Sequence, residues 1–123
     1  MGEETLMRSR WVKKLSNEFP RWYNVRMGKL PDVPMAGMFK VILGYADLVY
    51  IDDDIVQIVE FKVRDFRGAI GQLLSYKQEF AKTPEFAPYK DFPISLRLVA
   101  SKHDDATEEL AISENITYEV FDG

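Results

Sequence analysis

Cysteine is absent from this 123-residue sequence, and histidine occurs once, at His103. Without cysteine the chain has no disulfide, no thiolate-ligated zinc, no iron–sulfur cluster and no thiol nucleophile. A single histidine excludes a histidine-cluster metal site and argues against a histidine-based catalytic triad. Any chemistry must therefore depend on carboxylates and lysines, with or without a hard metal ion.

Long apolar runs are also missing. No run approaches the roughly 20 residues of a membrane span, and the N-terminal Met1-Gly2-Glu3-Glu4 lacks a signal-peptide pattern. Hydrophobic residues make up 46% of the sequence and charged residues 29%, which is typical of a folded domain and not of a disordered tail. We therefore expect one domain over residues 1–123, soluble, cytoplasmic and without a membrane partner.

Charge is distributed unevenly along the chain, whose net charge is −4. Residues 1–30 contain seven Lys and Arg against three Glu, whereas the remainder is acidic. A basic region of this kind is compatible with phosphate binding and equally with solvated helix surfaces. In the first helix, Lys13 and Lys14 are candidate contacts to a DNA backbone, with simple solvent exposure as the alternative.

The hydrophobic pattern predicts secondary structure in the order α-β-β-β-α-β-α-β. We expect helices over residues 3–19, 66–82 and 104–114, and strands over residues 22–27, 45–51, 55–63, 94–100 and 117–121. Residues 30–44 and the proline-containing segment 83–93 are expected to be loops, with a candidate extended segment at 38–43. The order implies an α/β fold with a central mixed sheet flanked by helices.

The strand predicted over residues 55–63, just after Asp52-Asp53-Asp54, is apolar on both faces, which is typical of a central strand. Two charged residues nevertheless lie near its end. Glu60 and Lys62 are two apart and share one face, and a charge beside a core is costly unless it is paired or bound to metal. A two-residue turn at Asp53-Asp54 places Asp47 directly opposite Glu60, whereas a three-residue turn puts Asp47 on the other face.

Two such carboxylates about 4 Å apart repel by about 4 kcal/mol at an effective dielectric constant of 20. A divalent cation relieves that repulsion, and an all-oxygen site suits Mg²⁺ or Mn²⁺. With Lys62 to hold or deprotonate a water, these groups make a site for phosphodiester hydrolysis. The alternative is a structural salt bridge that involves Glu60 and Lys62, and the two interpretations are evenly balanced.

Three sequence segments carry a resemblance to a known family: Ala46-Asp47, Glu60-Phe61-Lys62 and Gly71-Gln72-Leu73-Leu74-Ser75-Tyr76. Together they resemble the PD-(D/E)xK nuclease superfamily, in its RecB-like and archaeal Holliday-junction-resolvase-like branches. The resemblance extends from the first helix to about Ala100 and implies a restriction-endonuclease-like core. One departure from the family pattern is that alanine, not proline, precedes the aspartate.

The resemblance also implies roles for individual residues. Asp47 and Glu60 would be metal ligands, together with the carbonyl oxygen of Phe61. Lys62 would orient the nucleophilic water, while Gln72 and Tyr76 would support the site or contact DNA.

Many members of the family add a glutamate from the first helix, for which Glu4 is the candidate and Glu3 the alternative. Arg64 and Arg67 lie at the junction into the following helix, where phosphate contact and plain surface exposure are equally weighted interpretations.

These observations predict a Mg²⁺- or Mn²⁺-dependent deoxyribonuclease, with branched and single-stranded DNA among the candidate substrates. Cutting both strands of a duplex would require a homodimer, because one domain offers one active centre. The alternative functions are a catalytically inactive nucleic-acid-binding module that keeps the nuclease fold, and a protein-interaction or uncharged-ligand domain in which the charged residues are structural.

Overall fold

Five β-strands form a single mixed sheet in a computed structural model that describes residues 2–28 and 44–121. In chain order the elements are α1 (Glu3–Val12), β1 (Arg21–Arg26), β2 (Tyr45–Asp52), β3 (Ile55–Lys62), α2 (Arg67–Glu79), β4 (Ile94–Ala100), α3 (Asp105–Ser113) and β5 (Ile116–Val120). The predicted order is confirmed. The candidate extended segment at 38–43 lies outside the described residues.

The strands are arranged in the order β1-β2-β3-β4-β5. Both pairings among the first three strands are antiparallel, and β3–β4 and β4–β5 are parallel. Asp53 and Asp54 have φ angles of 51° and 60°, the left-handed conformation that a two-residue type I′ hairpin turn requires at both positions. The β2–β3 ladder then runs from Asp52↔Ile55 to Leu48↔Val59, which confirms the predicted register.

Helices cover both faces of the sheet. On one face, α1 buries Met7 and Trp11 against a cluster formed by Leu48, Tyr50, Val59, Phe61 and Val99. On the other face, α2 and α3 bury Ala69, Ile70, Leu73, Tyr76 and Ala111 against Val49, Ile51, Val56, Ile58, Leu96 and Leu98. β3 is therefore buried on both sides, as the sequence predicts. Within the described ranges, no helix is both long and apolar enough to cross a membrane.

Helix α1 is shorter than predicted, because it ends at Val12 rather than near residue 19. Beyond it the chain forms turns, in which the Ser16 hydroxyl oxygen accepts a hydrogen bond from the Glu18 amide at 3.2 Å. Serine side chains that bond to nearby backbone in this way compete with helical hydrogen bonds. Phe19 then folds back to stack on Tyr50, with 5.9 Å between the ring centroids.

The proline-containing connection to β4 is also more ordered than the predicted loop. Helix α2 continues into a short 3-10 turn over Phe80–Lys82, and a second 3-10 segment spans Pro84–Tyr89. Proline suits the first position of such a turn because its missing N–H would have no partner there. Phe86 is fully buried and stacks on Phe80 at 4.7 Å between centroids. This segment therefore completes the core between the sheet and α2.

Candidate metal centre

Strands β2 and β3 part just beyond the pair Leu48↔Val59, and the next two residues across the gap are Asp47 and Glu60. The Asp47 amide donates a hydrogen bond to Glu60 Oε1 at 2.9 Å, and the Phe61 amide donates one to Asp47 Oδ2 at 2.9 Å. Each carboxylate therefore takes a backbone bond from the neighbouring strand. This crossed pair of hydrogen bonds holds both acidic groups in the gap.

The regular alternation of side chains is interrupted at Asp47. Ala46 and Val49 both pack in the core on the face of the sheet that α2 and α3 cover, although residues three apart on a regular strand face opposite sides. The position on β1 that faces Asp47 is Asn24, which has a left-handed φ of 50°. Asparagine tolerates this conformation better than most residues because its short polar side chain can bond locally. The interruption brings the Asp47 side chain to a pocket beside α1.

Both carboxyl groups have perturbed pKa values. Glu60 is only 4% exposed, and burial followed by the charge of Asp47 raises its pKa to about 8. Burial also raises the pKa of Asp47, against the lowering effect of the hydrogen bond from the Phe61 amide. A positive ligand that kept both groups ionised would relieve the cost of burying them.

The oxygens in the gap fit a hard divalent cation. Asp47 Oδ1 and Glu60 Oε2 accept no hydrogen bond within the described part of the chain. The Phe61 carbonyl lies on the same edge of its strand as the amide that bonds to Asp47, so it also faces the gap. Residues 2–28 and 44–121 contain no group of three or more His, Asp or Glu side chains that could hold a metal alone. Water would complete the coordination, as is usual for Mg²⁺.

Lys62, two residues beyond Glu60, is half-exposed at the end of β3. Its charge acts on both carboxyl groups in the direction that lowers their pKa. The structural alternative, a salt bridge between Lys62 and Glu60, is not formed, and Lys62 is in no salt bridge among the described residues. The Lys62 carbonyl accepts the Ser101 amide at 3.0 Å, which fixes this end of β3 against the end of β4.

Of the two N-terminal glutamates, Glu4 is the one beside the carboxylate pair. Its Oε2 accepts the Val63 amide at 3.2 Å, and its charge acts on both Asp47 and Glu60 in the direction that raises their pKa. Glu3 instead forms a surface salt bridge with Arg64 at 3.2 Å. Glu4 therefore ties the start of α1 to the strand that carries the site.

On helix α2, Tyr76 is 3% exposed and its hydroxyl donates a hydrogen bond to the Tyr45 carbonyl at 2.9 Å. Burial, with smaller contributions from Glu60 and Asp47, raises its pKa. This burial leaves no surface for the DNA contact expected from the sequence, and the contacts favour the alternative, support of β2 next to Asp47. Gln72 is exposed and makes no hydrogen bond to the described residues.

The four basic residues expected to contact DNA lie in different places. Arg64 is an exposed partner of Glu3, while Arg67 is the exposed first residue of α2 and Lys13 is exposed at the end of α1. Lys14 donates a hydrogen bond to Glu119 Oε2 on β5 at 3.0 Å. Because β5 is three strands from β2, Lys14 lies about 14 Å across the sheet from the strand of Asp47.

Sequence reasoning missed two residues at the site, Arg8 and Asn24. They line a pocket of about 110 Å³ together with Glu4, Thr5 and Asp47. Arg8 Nη1 donates a hydrogen bond to Asn24 Oδ1 at 3.0 Å. Two signals were available: Arg8 is four residues after Glu4 and so shares its helix face, and asparagine is depleted from strand interiors.

The fold has a counterpart among solved structures. It is similar to a repair endonuclease from Pyrococcus abyssi, with a TM-score of 0.59 and 16% sequence identity. The match covers 98% of this chain and 48% of that protein, so the chain spans about half the length of its structural neighbour. No family model and no curated protein matches the sequence. At this identity the likeness concerns the fold, and the chain has a restriction-endonuclease-like α/β fold shared with that repair endonuclease.

Proposed function

We propose that this chain is a metal-dependent nuclease that hydrolyses phosphodiester bonds in DNA. The observation that carries the proposal is the crossed pair of hydrogen bonds that holds Asp47 and Glu60 in the gap between β2 and β3. Lys62 lies beside them and forms no salt bridge with any residue that the structure describes. One buried and one half-buried acidic group with raised pKa values destabilise a fold that has no use for them. The likeness to a repair endonuclease supports DNA as the substrate.

Asp47, Glu60 and the Phe61 carbonyl are the groups proposed to hold Mg²⁺ or Mn²⁺. When bound, such an ion polarises the phosphate and makes a water more acidic. Lys62 extends from the same strand and orients the attacking water by hydrogen bonding. The oxygen of that water bonds to phosphorus while the ester bond to the leaving sugar oxygen breaks, and the proton lost by the water is balanced by one gained by the leaving oxygen.

Other residues act on this centre from outside it. Glu4 fixes the Val63 amide just beyond Lys62, and Tyr76 fixes the start of β2 just before Asp47. The two strands that carry the acidic groups are thus held from opposite faces of the sheet. Such support keeps reacting groups in the geometry on which catalysis depends.

Substrate contacts are proposed on the exposed surface around the centre. Gln72 is exposed on α2, and Arg64 and Arg67 follow Lys62 in the junction into that helix. Lys13 is exposed at the end of α1, where it can contact a DNA backbone. Lys14 is the weakest of these candidates, since Glu119 already holds it.

Cleavage of a panel of labelled DNAs tests the proposal: single-stranded, duplex, flapped and four-way-branched molecules, each with Mg²⁺, Mn²⁺ or a chelator. We expect products from at least one structure with either metal and none with the chelator. Asp47→Asn should abolish cleavage, because it removes a negative ligand while keeping nearly the same shape. Asp91→Asn, at an exposed position before β4 and so at the opposite end of the sheet, is the matched control and should cleave as the wild type.

Two outcomes would contradict nuclease activity. Salt-sensitive DNA binding without cleavage, unchanged in Asp47→Asn, would favour the inactive nucleic-acid-binding module. Absence of DNA binding altogether would leave the carboxylate pair as a structural feature.

We further propose that the chain acts as a homodimer on duplex or branched DNA, because one domain carries one carboxylate pair and two-fold symmetry is the simplest way to address both strands. Light scattering on the purified protein should give twice the 14.3 kDa mass of one chain. If light scattering gave the mass of one chain and the same preparation cut only one strand of a duplex, the dimer proposal would be wrong. The proposed chemistry of the site would be unaffected.

A further inference from the structure

Arg8 lies in a small polar pocket beside Asp47, between α1 and β1. The pocket volume of about 110 Å³ is well below the roughly 300–1,000 Å³ of sites that enclose whole small molecules. It suits one compact polar group and not a nucleoside. Its other lining residues are Glu4, Thr5 and Asn24.

Uncharged side chains hold the guanidinium of Arg8 in place. Nη1 donates to Asn24 Oδ1 at 3.0 Å, and the guanidinium carbon lies 5.4 Å from the ring centroid of Tyr23. Arg8 is in no salt bridge among the described residues. Among the residues that the structure describes, Asn24 accepts from one of the five N–H donors of Arg8, and the other four have no acceptor. The planar fork of these donors matches the geometry of a phosphate.

We propose that Arg8 binds a phosphate group of the substrate next to the carboxylate pair, and that Asn24 is a positioning residue for it. The inference rests on the proposed function and deepens it, because it identifies a phosphate-binding side chain in a pocket that Asp47 also lines. Asp47 and Glu4 also border the pocket, so a phosphate enters it only when a cation offsets their negative charges. Arg8 supplies one positive charge, and the proposed metal supplies the rest.

The same chemistry fits two sources of phosphate, an internal phosphodiester of the DNA backbone and a terminal 5′-phosphate. Both present oxygens that Arg8 can contact. Oligonucleotides of one sequence with a 5′-phosphate or a 5′-hydroxyl distinguish them. If Arg8→Ala weakens the binding of both oligonucleotides equally, the pocket binds a backbone phosphate. If it weakens the binding of the 5′-phosphorylated oligonucleotide alone, the pocket binds the terminal phosphate.

The decisive measurement is DNA affinity by fluorescence anisotropy as a function of salt, with Mg²⁺ present and in a Lys62→Met background that slows cleavage. Arg8→Ala should weaken binding about tenfold or more and reduce the salt-dependence slope by about one. Arg8→Lys, which keeps the charge and guards against misfolding, should recover part of the affinity because the planar fork is lost. Arg10→Ala, at an exposed position on the same helix, should change affinity less than about twofold.

A double-mutant cycle tests the positioning role of Asn24. Asn24→Gly keeps the left-handed backbone without strain and removes only the amide that holds Arg8. Asn24→Gly should weaken DNA binding when Arg8 is present and have no further effect on DNA binding in Arg8→Ala. If Asn24 had an independent structural role, the losses of binding free energy from the two substitutions would add.

The inference is overturned if Arg8→Ala matches Arg10→Ala in both affinity and salt slope. A wild type that cleaves DNA with no effect of Arg8→Ala would remove this inference alone. A wild type that binds DNA through Arg8 and never cleaves would remove the nuclease proposal and leave the phosphate site.

Discussion

Lys62→Met is expected to lower the rate of Mg²⁺-dependent DNA cleavage by about 10²- to 10⁴-fold, the usual contribution of one group that handles a proton or orients a nucleophile. Methionine keeps the unbranched apolar stem and removes the ammonium. Single-turnover kinetics at saturating protein isolates the chemical step from substrate binding and product release. DNA affinity should change far less than the rate.

Protein stability should be nearly unaffected by this substitution. Lys62 is half-exposed and has no ion pair within the described residues, and surface changes of this type usually alter the free energy of unfolding by less than about 0.5 kcal/mol. Lys90→Met is the matched control, because Lys90 is exposed before β4, at the end of the sheet away from the site. If Lys62→Met kept more than about half of the wild-type rate, Lys62 would not be the residue that orients the water.

The adjacency of the two acidic residues could be predicted from sequence because it depends on local geometry. Two residues in the hairpin turn fix the strand register, and the register fixes which residues face each other across the ladder. The structure keeps that register up to Leu48↔Val59. The crossed hydrogen bonds of Asp47 and Glu60 could not be predicted, because they form only where the ladder stops.

The pocket beside Asp47 could not be predicted either, since three separate parts of the chain build it. Arg8 comes from α1, Asn24 from β1 and Asp47 from β2. That Asn24 faces Asp47 is known only once β1 is paired with β2. The local sequence shows which basic residues share a helix face, but it does not show which distant residues they contact. The same limit applies to Lys14, whose partner Glu119 is 105 residues away.

The second large effect concerns pH and metal. In the absence of divalent cations, we expect the free energy of unfolding of the wild type to fall as the pH rises from 5 to 8. The folded-state pKa of Glu60 is about 8, whereas the ordinary value, which applies to the unfolded chain, is 4.5. Between those values the folded protein holds a proton that the unfolded chain has released, so raising the pH favours unfolding. The raised pKa of Asp47 acts in the same direction.

The expected loss is on the order of 3 kcal/mol, given about 1.4 kcal/mol for each unit by which the folded and unfolded pKa values differ. Urea unfolding in a chelator at pH 5 and pH 8 measures it. Groups with lowered pKa values, such as Glu119 and Asp104, titrate below this window and do not obscure it. Glu60→Gln should remove most of the pH dependence, because glutamine is neutral at both pH values.

Mg²⁺ should restore at pH 8 what deprotonation of Glu60 removes, because a ligand that binds only the folded state stabilises it by about 2.7 kcal/mol at a hundred times its dissociation constant. Glu60→Gln should lose most of that gain together with the pH dependence, since both arise from one carboxylate. Glu114→Gln, an exposed change after α3, should keep both. A wild type whose stability at pH 8 does not respond to Mg²⁺, while its stability falls with pH as expected, would show that Asp47 and Glu60 bind no cation.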